Sequence, residues 1–153
     1  WYNTDMLMIY SFTGNTYGFI ETPDNIVETM DMVNKDYGID FPAGDFFYPS
    51  FTDDLMEYSE SIYYMGLVQY DGKDYHHIIA KGTDKHIQIW IHNDTFALPA
   101  RYVIHEKKDG ETLQFEGIFS NWKLNPELPE AIFDFVAPEN ARRLNIVSKS
   151  STN

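Results

Sequence analysis

The sequence predicts a mainly β (α+β) fold in which one antiparallel, strongly twisted sheet carries a single long helix on its concave face. Three observations predict it. Residues 112–122 alternate, with Leu113, Phe115 and Phe119 on one face of an extended chain, Gly117 among them, and Gln114, Glu116 and Ser120 on the other. From residue 61 onward, apolar-periodic runs are separated by Asp71-Gly72, Gly82-Thr83-Asp84, Asn93-Asp94 and Asp109-Gly110, spacers that suit tight turns between neighbouring strands. Ile26, Met30, Val33 and Tyr37 recur at four, three and four residues, which makes one apolar helical stripe.

Taken in order, Trp1 and Tyr2 read as the end of a strand, residues 3–5 as a polar turn and residues 6–12 as a second strand. Thr13, Gly14 and Asn15 supply a tight turn, and residues 16–21 pair back. Thr22-Pro23-Asp24 has the pattern of a helix start, a hydroxyl cap followed by proline and an acid, so a helix is expected over residues 23–37 with Gly38 as its left-handed C-terminal cap. Asp40-Phe41-Pro42 opens a short helical piece holding Phe46, Phe47 and Tyr48, and residues 53–58 add another turn or two. This Phe-rich stretch is expected to cap the sheet, as a flap over an apolar pocket or as a plug of the core.

Strands are expected over residues 62–70, 73–81, 85–92, 101–107 and 112–122. Ile87, Ile89 and Ile91 alternate with His86, Gln88, Trp90 and His92, so one face is aliphatic, core or cavity wall, and the other is wet and carries an indole. Asn125, Pro126 and Pro129 stop the ladder, and a short returning strand is expected at Ile132, Phe133 and Phe135. Residues 144–147 suggest a last edge strand, and residues 148–153 a disordered tail.

With 153 residues and 43% apolar content, the chain is sized for one domain over residues 1–147 that buries about 70% of its unfolded surface. Its formal charge of −13 opposes binding to nucleic acid or to anionic head groups. The absence of cysteine excludes disulfides, thiolate metal sites and a cysteine nucleophile, and leaves the redox compartment open. No apolar run approaches the roughly 18 residues of a membrane span, and the first ten residues lack the basic flank and cleavage pattern of a signal peptide.

The segments YGIDFPAGDFFY, GKDYHHIIAKGTDKHIQIWIHND, LPARYVI and FSNWKLNPELPEAIFDFVAPENA, in that order and spacing, resemble a family of predicted periplasmic bacterial proteins of unknown function, which is itself similar to the LolA and LolB lipoprotein carriers. Gln88, Trp90, Leu98, Pro99, Trp122, Phe133 and Phe135 carry most of the resemblance. It implies a curved antiparallel sheet forming an unclosed half-barrel with a helical lid, and a periplasmic location. Members of that family have a signal peptide, a helix and further strands upstream of the point where Trp1 stands, so the sequence reads as its C-terminal two-thirds. An open sheet edge beside Trp1, Tyr2, Met8 and Tyr10 is then expected, filled by an upstream segment or by a second chain in a homodimer.

Motifs for chemistry are scarce. There is no GxSxG elbow, no glycine-rich phosphate loop, no HExxH and no calcium-loop pattern, so no enzyme activity and no cofactor are expected. His76 and His77 point to opposite faces of a strand and cannot share a metal, and no metal site is assigned. The acids at Asp45, Asp53, Asp54 and Glu57 fit a solvated face. Trp90 and Trp122 suit either packing or stacking against a sugar or other ligand. Two functions follow from different classes. One is a non-catalytic carrier or binding protein that presents Ile89, Ile91, Phe115 and Phe119 to a lipid, an acyl chain or another apolar ligand beneath a lid containing Phe46 and Phe47. The other is a cell-envelope structural or interaction protein with a filled core that binds a protein partner.

Overall fold

In the computed structural model, residues 1–108 and 110–149 are described. They form two compact units, one of residues 1–47 and 125–149 and the other of residues 48–124.

The first unit is built on a hairpin of β1 (Met6–Ser11) and β2 (Thr16–Glu21), antiparallel with Leu7 opposite Ile20 and Tyr10 opposite Tyr17. Asn15, at φ 44°, takes the left-handed position of the turn. Helix α1 (Ile26–Tyr37) lays its stripe on one face of this hairpin, where Leu7, Ile20 and the fully buried Val33 form a core joined by Ile9, Tyr37, Phe41 and Ile146. The helix starts three residues later than its sequence pattern suggests. Asn25 is the cap, its side-chain oxygen accepting from the amides of Val27 at 2.8 Å and Glu28 at 3.2 Å. Pro23 instead lies outside the helix, and its carbonyl accepts the hydroxyls of Tyr2 and Thr29. Gly38 closes the helix at φ 71°, as expected. A 3₁₀ turn, Gly44–Phe47, follows.

The second unit starts with α2 (Phe51–Tyr58) and continues as a five-stranded meander: β3 (Ser61–Tyr70), β4 (Lys73–Lys81), β5 (Lys85–His92), β6 (Pro99–Lys108) and β7 (Glu111–Ile118). Every pairing in it is antiparallel between sequence neighbours, in the order the turn signals imply. Two irregularities shape it. The register slips between Tyr64 and Leu67 on β3, where Gly66 has φ 85°, and again beside Trp90 and Ile91, where β6 accommodates Ala100 as an extra residue between Pro99 and Arg101.

Four expectations are corrected. The strands form two sheets, not one, because the chain between β2 and β3 is taken up by two helices and a 3₁₀ turn, and among the described residues no ladder joins the hairpin to the meander. The last strand is β8 (Arg142–Arg143) rather than residues 144–147, and it pairs with β2 in parallel, an exception to the antiparallel rule that a two-residue bridge tolerates. The returning strand at Ile132 and Phe133 is a 3₁₀ turn, Glu130–Phe133, since Pro129 fixes its own φ at −62° just before it and supplies no ladder N–H. The long strand ends at Ile118 rather than Trp122, because Asn121 and Asn125 adopt φ of 55° and 46° and turn the chain out of the extended region. Beside Trp1 the edge of β1 is covered over part of its length: Trp1 and Met8 exchange main-chain hydrogen bonds of 2.8 and 3.0 Å, and Tyr2 bridges to Leu7. Of the expected disordered tail, residues 150–153 lie outside the described residues, as does Asp109 of the last hairpin turn.

A candidate ligand groove on the five-stranded sheet

Strand alternation sorts the second unit into two faces. Ile78, Ala80, Ile87, Ile89, Tyr102 and Ile104 share one face, since Ile78 lies opposite Ile89, Ala80 opposite Ile87, Ile89 opposite Tyr102 and Ile87 opposite Ile104. Its centre is buried: Tyr102 is 0% exposed and Ile89 6%. Phe115 stands opposite Ile104, and the rings of Phe115 and Phe119 flank Gly117. Of the apolar residues singled out from the sequence, then, Ile89, Ile91 and Phe115 share a face, while Phe46, half-buried, and Phe47, exposed, belong to the 3₁₀ turn of the other unit.

The opposite face carries the groove. Tyr75, Trp90, Ala100 and Val103 pack as a buried cluster with Val68 at its margin. Above it opens a depression of about 600 Å³ at the end of the sheet where β3 and β5 finish and β4 and β6 begin. Trp90 and Tyr75 form its floor, and Tyr70, Phe96, Leu98, Ile118, Phe119, Trp122 and Leu124 its walls. Asp71, Lys73 and Asp94 mark the polar rim.

Layering holds the floor rigid. His77 stacks flat on Trp90, centroids 4.2 Å apart and planes 12° apart, and its Nε2 is 3.1 Å from Gln88 Oε1. The Arg101 guanidinium lies over Trp90 at 4.5 Å and over Tyr70 at 5.1 Å, while its Nε donates to Glu116 at 2.6 Å. The β6 irregularity matters here, because placing Ala100 as the extra residue sets Arg101 directly across from Trp90.

The walls are fixed by main-chain chemistry. Asp94 accepts from the amides of Phe96 and Ala97, making a turn that leaves Phe96 67% exposed at the mouth. The Trp122 indole N–H donates to the Pro99 carbonyl at 2.9 Å, and its ring stacks with Phe119. Trp122 therefore keeps a satisfied polar edge and presents a 43% exposed surface.

Among the described residues no group of three or more His, Asp or Glu side chains lies close enough to hold a metal ion. His76 bonds Tyr64 and Asn93 instead. What the arrangement offers is apolar and aromatic surface reachable from water, with one layered cation.

Sequence reasoning had noted Trp90 and Trp122 as stacking candidates, and Phe119 as a ligand residue. It missed Arg101, Phe96 and Tyr70. Their meeting depends on the extra residue in β6 and on the Asp94 turn, and only the Asn93-Asp94 turn signal was visible.

Over residues 1–147 the sequence matches the family described as predicted periplasmic proteins, DUF2092. The chain belongs to that family. Curated proteins and solved structures gave no match. For this DUF2092 member the location is therefore periplasmic by family, and no described helix is long and apolar enough to cross a membrane.

Proposed function

We propose that this DUF2092 protein is a non-catalytic periplasmic binding or carrier protein, and that its ligand is a lipid, an acyl chain or another apolar molecule seated in the aromatic groove. The observation that carries the reading is the groove itself: about 600 Å³, walled by Tyr70, Phe96, Phe119 and Trp122, inside the size range of small-molecule sites. Exposed aromatic surface of this kind gains free energy when covered, at about 25 cal/mol per Å² of apolar area.

The sequence reading had put the ligand on the aliphatic face, with Phe46 and Phe47 as lid. That face has less to offer at its centre, since Ile89 is 6% and Tyr102 0% exposed. Phe119 belongs to both sets. The same filled face supports the second reading, an envelope interaction protein that uses its outer surfaces.

The test is a titration with the fluorescent apolar probe N-phenyl-1-naphthylamine. Replacing Phe96 and Trp122 together with alanine removes roughly 100 Å² of apolar contact surface, about 2.5 kcal/mol, so binding is expected to weaken by at least tenfold. The double variant Phe46→Ala/Phe47→Ala should bind as the parent does. If the Phe46/Phe47 variant loses the probe and the Phe96/Trp122 variant keeps it, the groove is not the ligand site.

A further inference from the structure

The rings that wall the groove are tied down by one short stretch of main chain. Phe96 and the pair Phe119 and Trp122 are more than twenty residues apart in sequence, yet all three are anchored to residues 94–100. The Asp94 carboxylate accepts from the amides of Phe96 and Ala97 at 2.9 and 3.0 Å, and Ala97 takes the left-handed φ of 48° in that turn. The His92 amide closes the turn on the Leu98 carbonyl at 2.9 Å. The Phe119 amide donates to the Ala100 carbonyl at 2.8 Å, and the Trp122 indole N–H to the Pro99 carbonyl at 2.9 Å. Tyr70 is the fourth ring, with the Arg101 guanidinium over it at 5.1 Å. Trp90 already carries His77 and Arg101, so the aromatic surface on offer belongs to Tyr70, Phe96 and Trp122, which are 41%, 67% and 43% exposed.

Fixed walls favour a stiff occupant. An acyl chain covers them only by giving up rotamer freedom along its length, whereas a flat ring system has little freedom to lose and adds ring-to-ring contact beyond the area it buries. Charge points the same way. In a chain of 24 acids and 11 bases the groove is lined by two of each, Asp71 and Asp94 against Lys73 and Arg101, a balance that complements an uncharged ligand. Arg101 is held by Glu116 at 2.6 Å, Asp94 by its two amides and the Trp122 N–H by Pro99. Groups that a charged head or the hydroxyls of a sugar would call on are thus committed to the protein itself.

We infer that the groove selects a compact, uncharged ligand with a planar aromatic ring system, stacked against Phe96, Trp122 and Tyr70, in preference to a flexible acyl chain. The inference rests on the reading of the groove as an apolar ligand site and names the class of ligand it takes. The main-chain ties to residues 94–100 supply the preorganisation, and the three exposed rings supply the selectivity.

The ¹⁵N-labelled full chain is titrated separately with 2-naphthol, 1-octanol and maltose, a ring alcohol, a chain alcohol and a sugar, and the indole N–H resonances of Trp90 and Trp122 are followed. Naphthol is expected to bind about tenfold more tightly than octanol, the equivalent of one or two ring pairs, and maltose to leave both signals in place. Phe96→Leu, which keeps apolar surface at the mouth and removes a ring, should cut the preference for naphthol at least threefold while octanol binds nearly as before. Trp122→Leu, followed through Trp90, is the second variant and should do the same. Octanol binding as tightly as naphthol, maltose binding more tightly than either, or a preference for naphthol that survives both substitutions overturns the inference and leaves the groove as a ligand site. Unmoved Trp90 and Trp122 signals with all three compounds remove the groove reading itself, and the inference with it.

Discussion

Gly18 shows how a single missing Cβ sets a close approach. A methyl there would sit 2.6 Å from Ile146 Cγ1 and 3.1 Å from the Leu144 carbonyl, so Gly18→Ala must push residues 144–146 off β2. A loss of about 1–3 kcal/mol is expected, read as a lower denaturation midpoint with an unchanged slope. Trp122 makes a different point. Its indole N–H to the Pro99 carbonyl ties the groove wall to the start of β6, and Trp122→Phe keeps the ring surface while deleting the bond. About 0.5–1.5 kcal/mol of stability should be lost, with probe affinity changed less than by Trp122→Ala. Neither contact was legible in the sequence. Gly18 read only as part of a strand, and a tryptophan on a sheet does not announce which carbonyl its N–H will meet.

Among the elements, those with a local signal were read well. The meander from β3 to β7 follows from Asp-Gly and Gly-Thr-Asp spacers between period-two runs, and α1 from its stripe and Gly38. Competing local signals caused the misses. Thr22-Pro23 looks like a helix start, yet Asn25 reaches both the N2 and N3 amides. Asn25→Ala is therefore expected to cost about 1 kcal/mol, whereas Thr22→Ala should cost less, a comparison two chemical denaturation curves settle. Phe135 was assigned to a strand but is the hub of an aromatic cluster, with Trp1 at 5.0 Å, Tyr17 at 5.3 Å, Tyr10 at 6.2 Å and Phe19 at 6.3 Å. Its partners lie more than a hundred residues away, beyond the reach of any periodicity. β8 is out of reach for the same reason, a two-residue bridge fixed by the main chain of Asn15 and Tyr17.

On the scale of the whole molecule, apolar alternation says that strands exist and does not say which belong to one sheet; here the helical stretch between β2 and β3 separates two of them. The acidic balance also acts globally. With a formal charge of −13, self-repulsion weakens the compact state, so raising salt from about 10 to 150 mM should raise the melting temperature by a few degrees as the Debye length shortens. The central claim is that an apolar ligand occupies the groove on the Trp90 face. The three tryptophans test it directly, since Trp90 and Trp122 line the groove and Trp1 lies in the other unit. In a ¹⁵N-labelled sample titrated with a short-chain amphiphile such as decanoate, the indole N–H resonances of Trp90 and Trp122 are predicted to shift saturably while that of Trp1 stays in place. Unmoved Trp90 and Trp122 signals at saturation of the ligand, or a saturable shift of Trp1 alone, would contradict the account.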